Sequence, residues 1–194
     1  TRVVAFVCSL KELAHLIVDF RAFRKPEQCA IRLDAAIFGP ALASDDEQSL
    51  LAAIDMIRGC GCTLEVPGVL APLHAPSPRL QAAALATLPR LIADPGVEAS
   101  IVALLDSPDA HVRAAALRAA GHRRLASAFA KIAALLEDPE PLVAVAAAEA
   151  LVALGPPGLA RLDDAIVNGR GAARGAALET RAHQMLPWKG PTPW

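Results

Sequence analysis

The stretch Leu104 to Gly121, LLDSPDAHVRAAALRAAG, decides the fold. It sets an acidic turn marked by Pro108 in front of a run in which alanine is the commonest residue. Alanine favours helix and fills almost no space, so a helix built this way can lie very close to its neighbours. Proline ends the helix before it, and the side-chain oxygen of Asp109 suits the free N–H groups of the helix after it.

The same pattern recurs along the chain. SPDAHVRAAAL (107–117) aligns with DPEPLVAVAAA (138–148). APSPRLQAAAL (75–85) precedes the pair and NGRGAARGAAL (168–178) follows it, each at nearly the same interval. A near-constant period of this size is the mark of a solenoid. Each unit divides into two helices. An apolar first segment (Val97 to Leu105, Phe129 to Leu136, Leu159 to Val167) is stopped by Pro108, Pro139 or Gly169. A second helix is then opened by Ser77-Pro78, Asp109-Ala110 or Glu140-Pro141, with Glu140 the poorest cap of the three. Pro72 within a first segment implies a kink. The glycine-rich NGRGAARG reads as an inter-helix turn, and the pairs Asp45-Asp46 and Asp163-Asp164 as carboxylates at helix starts.

On these residues the chain resembles the HEAT repeats, in particular the short class also found in phycobilisome-lyase-type proteins. The likeness is strongest over DSPDAHVRAAALRAAG and EDPEPLVAVAAAEALVALG, good over Arg79 to Leu91 and Ala172 to Met185, weaker over SDDEQSLLAAIDMIRGCG, and absent over 1–28. The family's Val-Arg pair stands as Val112-Arg113, survives in part as Ala173-Arg174, and is lost at Leu80-Gln81 and Val143-Ala144, which breaks any continuous arginine ladder. The resemblance implies an all-α fold, an α-solenoid of about five HEAT-like helical hairpins over residues 29–186. Residues 1–28 precede it with an amphipathic capping helix in SLKELAHLIVDFRAF, where Ser9 and Glu12 form a capping box. Residues 187–194 are an extended tail, with Trp188 expected to fold back on the last repeat.

Composition narrows the function. With 54% hydrophobic and 20% charged residues the chain holds enough apolar surface for a continuous core. A net charge of -1 supplies no basic field for a phosphate backbone, and 4% aromatics with no tyrosine leave few platforms for bases, so nucleic acid is not the expected partner. Cys8, Cys29, Cys60 and Cys62 are too few for a disulfide scaffold and are expected to be reduced, as in the cytoplasm. The run LVAVAAAEALVALG is interrupted by Glu149 and too short to cross a bilayer, so no membrane insertion is expected. The chain opens at Thr1 with neither initiator methionine nor secretory signal, the pattern of a fragment or a processed product.

Catalytic and metal motifs find little support. Cys60-Gly61-Cys62 has no second pair or histidine beside it to complete a zinc site. His15, His74, His111, His122 and His183 form no H-E-x-x-H and no His-Glu pairs of the HEAT-fold iron hydroxylase kind. Neither G-x-S-x-G nor a phosphate loop is present. The expected protein is therefore non-catalytic and needs no cofactor.

What remains is surface. If Val112, Ala115, Ala116 and Ala119 face the core, then His111, Ala114 and Arg118 face away from it. The repeat offsets carry this stripe to Leu142, Val145 and Glu149, to Ala172, Gly175 and Glu179, and back to Arg79, Ala82 and Ala86. In HEAT proteins second helices usually line the concave side. The resemblance therefore implies a groove for a protein or peptide partner at Arg79, His111, Arg118, Leu142, Val145, Glu149 and Glu179. A secondary basic edge is expected at His122, Arg123 and Arg124, solvated near Asp106 and Glu137. The residues 44–61 and 72–88 are also similar to HEAT stretches beside transporter-like membrane domains in bacterial multidomain proteins, so a scaffold or regulatory module of a larger chain is one form this reading takes. Two enzymatic alternatives come with the family, a bilin lyase and a HEAT-like DNA glycosylase. No residue here marks a bilin site, and Glu149 and Glu179 lack the aromatic neighbours and basic face a glycosylase needs.

Overall fold

The computed structural model describes residues 46–60, 71–88 and 95–185. The capping helix with His15, Cys8, Cys29, Asp45, Cys62, Trp188 and Trp194 lie outside the described residues. Eight α-helices are present among those described: α1 (Glu47–Cys60), α2 (Pro78–Thr87), α3 (Pro95–Leu104), α4 (Ala110–Arg123), α5 (Phe129–Ala134), α6 (Pro141–Ala153), α7 (Pro156–Asn168) and α8 (Gly171–Met185). Short 3-10 turns occupy Ala71–His74, Ala126–Ala128 and Leu135–Glu137, and no strand occurs among the described residues.

The helices form two layers. The second helices pack in sequence, α1 on α2, α2 on α4, α4 on α6 and α6 on α8. The other layer is made by the 3-10 turn Ala71–His74 and by α3, α5 and α7, each against its own second helix. This is an all-α solenoid. Pro72 is buried in that 3-10 turn, so the kink expected there is a short tight helix. Large side chains from both layers fill the space between them, among them Leu85, Ile101, Leu117, Ile132, Leu151 and Leu162, all inaccessible to solvent.

The helix starts fall where the turn chemistry puts them, at Pro78, Ala110 and Pro141. The caps are unequal. Asp109 accepts from the N–H groups of His111 at 2.8 Å and Val112 at 3.1 Å. Glu140 makes no side-chain cap, and neither does Ser77, whose hydroxyl instead donates to Glu47 Oε1 at 3.0 Å. Asp46 caps α1, accepting from both the N–H and the hydroxyl of Ser49, and these bonds hold its carboxyl below the usual carboxylate range. The pair Asp163-Asp164 is not at a helix start. Pro156 and Pro157 open α7 well before it, and the two carboxylates sit in the helix's second half, paired with Arg181 and Arg161 respectively. Likewise only Gly169 and Arg170 separate α7 from α8, so Arg174 and Gly175 are helical rather than part of a turn.

Two features bind successive units. The first is the alanine seam. Ala144, Ala146, Ala147 and Ala148 of α6 are fully buried, and at Gly121 of α4 a Cβ atom would stand 2.9 Å from the Cα of Ala150 and 3.2 Å from its Cβ. Side chains of ordinary size could not occupy such an approach. The second is Arg113. Its guanidinium grips Asp138 of the next turn in a fork, Nε to Oδ2 at 2.9 Å and Nη2 to Oδ1 at 3.0 Å, and its Nη1 donates to the carbonyls of Ser107 and Pro108 at 3.0 Å. Both side chains are largely buried, and Asp138 also accepts from the Glu140 N–H at 2.9 Å. One repeat earlier Gln81 takes the arginine's place and reaches the carbonyl of Ala75 at 2.9 Å, half of the same device without the charge.

Candidate functional site

On the second helices the ion pairing follows the repeat offset. Arg118 of α4 and Glu149 of α6 approach to 3.6 Å, with 48% and 52% of their side chains exposed. Each stands beside a depression. Between α2 and α4 a hollow of about 430 Å³ is lined by Ala82, Ala83, Leu85, Ala86, His111, Ala115, Arg118, Ala119 and His122. Between α6 and α8 one of about 350 Å³ is lined by Val145, Glu149, Val152, Glu179, Thr180, His183 and Gln184. The Arg118–Glu149 ion pair thus links one lining residue of each hollow.

The periodicity of α4 explains the first hollow. His111, Ala115, Arg118 and His122 recur at three- and four-residue steps and share a helix face, while the alanines of α2 leave the facing wall low. The hollow is basic in its charged groups. In the second, Glu149 and Glu179 supply two carboxylates, and His183 is turned so that its Nδ1 lies 2.9 Å from the carbonyl of Glu179. Arg79 and Leu142 lie exposed at the starts of α2 and α6, the latter 37% accessible. Neither lines either of these two hollows.

Three expectations need correction. Ala114 does not face outward; it is fully buried, and Ala115, assigned to the core, is half-buried in the wall of the first hollow. In a helix whose residues 114–116 are all alanine, hydrophobic contrast fixes the rotation poorly. The basic edge also divides. Arg123 turns inward, its Nη2 donating to the carbonyl of Leu88 at 3.0 Å, while His122 faces the first hollow. Arg124 is exposed and ends α4 in the left-handed conformation at φ 52°. Finally, Asp106 and Glu137 do not attend these residues, because they pair with Lys131 and Arg161. Sequence reasoning gives His183 no place in the groove, although it occupies the position two repeats beyond His122.

Among the described residues no group of three His, Cys, Asp or Glu side chains is placed to hold a metal ion, and no helix is long and apolar enough to cross a membrane. A family model described as HEAT repeats matches residues 66–152 and, overlapping them, residues 99–180. Comparison with curated proteins finds no match.

Proposed function

The chain belongs to the HEAT-repeat family, and we propose that it is a non-catalytic scaffold or regulatory module that binds another protein through the face of its second helices. The observation that supports this most is the pair of hollows whose linings are linked by the Arg118–Glu149 ion pair. A layer of packed helices presents them, and extended surfaces of this kind are what repeat folds offer a partner. Every charged group there is partly or largely exposed, as suits recognition at a rim more than acid or base chemistry.

Site-specific photocrosslinking in a lysate of the source organism tests this reading. A photoreactive side chain at Ala86 or Thr180, one in each hollow, is expected to form covalent adducts with another polypeptide. The same side chain at Ala130, exposed on α5 in the other layer, is expected to form none. Equal labelling from all three positions counts against the groove.

A further inference from the structure

Helix α8 leaves open a face that the second helices before it bury. Leu85, Leu117 and Ala148 hold one position of successive repeats and are inaccessible to solvent, whereas Leu178, the next in register, is 46% exposed. The same contrast holds on either side of it along the helix. Ala114 and Gly121 of α4 are buried, and α6 comes close there, at the approach of Gly121 to Ala150. Their counterparts in α8, Gly175 and Ala182, are exposed, and a Cβ atom at Gly175 meets nothing within 4 Å. This is the face on which a solenoid packs its next second helix. Terminal units of solenoids turn a polar face outward, and Leu178 is the reverse of that.

The charge beside Leu178 is open too. Arg118, next to Leu117, reaches forward to Glu149 of the following second helix at 3.6 Å. Glu179 stands next to Leu178 in the same register, is exposed, and makes no ion pair among the described residues. An occupant of this face therefore needs an apolar body for Leu178 and Ala182 and a cation for Glu179. We propose that the chain's own residues 186–189, LPWK, supply both: Trp188 covers Leu178 and Ala182, and Lys189 meets Glu179. Proline at 187 bars the helix from continuing. Leu178 lies seven residues before Met185, about 10 Å along the helix axis. Trp188 lies three residues beyond it, which is about 10 Å of extended chain. A chain that doubles back after α8 thus brings the indole level with Leu178, and Lys189 is the only lysine or arginine in 182–194. A second copy is the poorer occupant, because two identical faces meeting about a two-fold axis at Leu178 set Glu179 against its own counterpart. Glu179 also lines the second hollow, so the same contact makes residues 186–189 part of that hollow's rim.

The test reads Trp188 in the full chain carrying Trp194→Phe, which leaves it the sole indole. At concentrations where sedimentation shows a monomer, its emission is expected to be blue-shifted, and its quenching by acrylamide slower, than in the same chain unfolded in urea. Leu178→Asp should move both toward the unfolded values without loss of helical circular dichroism, since the side chain it replaces is already half-exposed. Lys189→Glu should move them in the same direction, and Lys189→Glu combined with Glu179→Lys should restore the parent signal, a rescue that apolar collapse of the tail alone would not give. A water-exposed Trp188 in the monomer overturns the proposal. So does a shielded indole that is indifferent to Leu178→Asp or to the charge reversal. Shielding that appears only as the protein associates, and is lost with Leu178→Asp, overturns it as well and gives the face to a second copy.

Discussion

Gly121 and Gly175 are both helical glycines, yet replacing each with alanine should move stability in opposite directions. In an open helix interior the change favours folding by about 0.5–1 kcal/mol, since glycine surrenders more backbone freedom than alanine. Gly175 offers that case: it is exposed in α8, and a Cβ added there meets nothing within 4 Å. Gly121 gains the same backbone term but places its methyl 2.9 Å from the Cα of Ala150, a backbone atom that moves only if α4 and α6 separate. Overpacking of a close interface costs about 1–3 kcal/mol, so the net for Gly121→Ala is a loss of up to about 2 kcal/mol. For a chain of this size each kcal/mol moves the melting temperature by about 2–4 °C. Thermal unfolding followed by far-UV circular dichroism should show Gly175→Ala melting slightly above the parent and Gly121→Ala below it. A rise in both would refute the close α4/α6 approach from which the register of Arg118 and Glu149 follows.

Other substitutions probe the same frame. Ala147→Leu, at a position with no solvent access, is expected to cost about 1–3 kcal/mol in denaturant unfolding, whereas Ala115→Leu, which projects toward the first hollow, should cost under about 1 kcal/mol. A large loss at Ala115 would mean that the hollow closes over it. Arg113→Ala strands the buried carboxylate of Asp138 with a single N–H partner from Glu140 and should cost about 3 kcal/mol, read from the same unfolding curves. A cost under about 1 kcal/mol would show that the fork contributes little beyond an exposed pair.

Much of this frame was legible in the residues. Proline and acid at the corners located the starts of α2, α4 and α6 because those residues act locally, through a fixed φ or a side-chain cap. The repeat offset placed Arg118 beside Glu149 because a solenoid converts sequence period into neighbourhood. The rotation of α4 was not legible. With alanine at 114, 115 and 116, only tertiary packing decides which methyl is inside, and the small residues of α2 leave Ala115 partly open. Arg123 misled for another reason. Three basic residues in a row suggest one patch, but α4 ends there, and the chain's reversal at Arg124 sends neighbouring side chains in different directions. The role of Gln81 as a neutral stand-in for Arg113 also needed coordinates, since only the shared turn carbonyl reveals it.

The proposed partner site is the face of the second helices, at the two hollows linked by the Arg118–Glu149 pair. Its most direct test is a methyl NMR titration of the protein, labelled at alanine and valine, with the partner recovered by crosslinking from Ala86 or Thr180. Shifts are expected to concentrate at Ala82, Ala86 and Ala115 in the first hollow and at Val145 and Val152 in the second, with the buried methyls of Ala144 and Ala147 little changed. Shifts gathered instead on the first-helix layer, at Ala103, Ala130 and Val167, would contradict it.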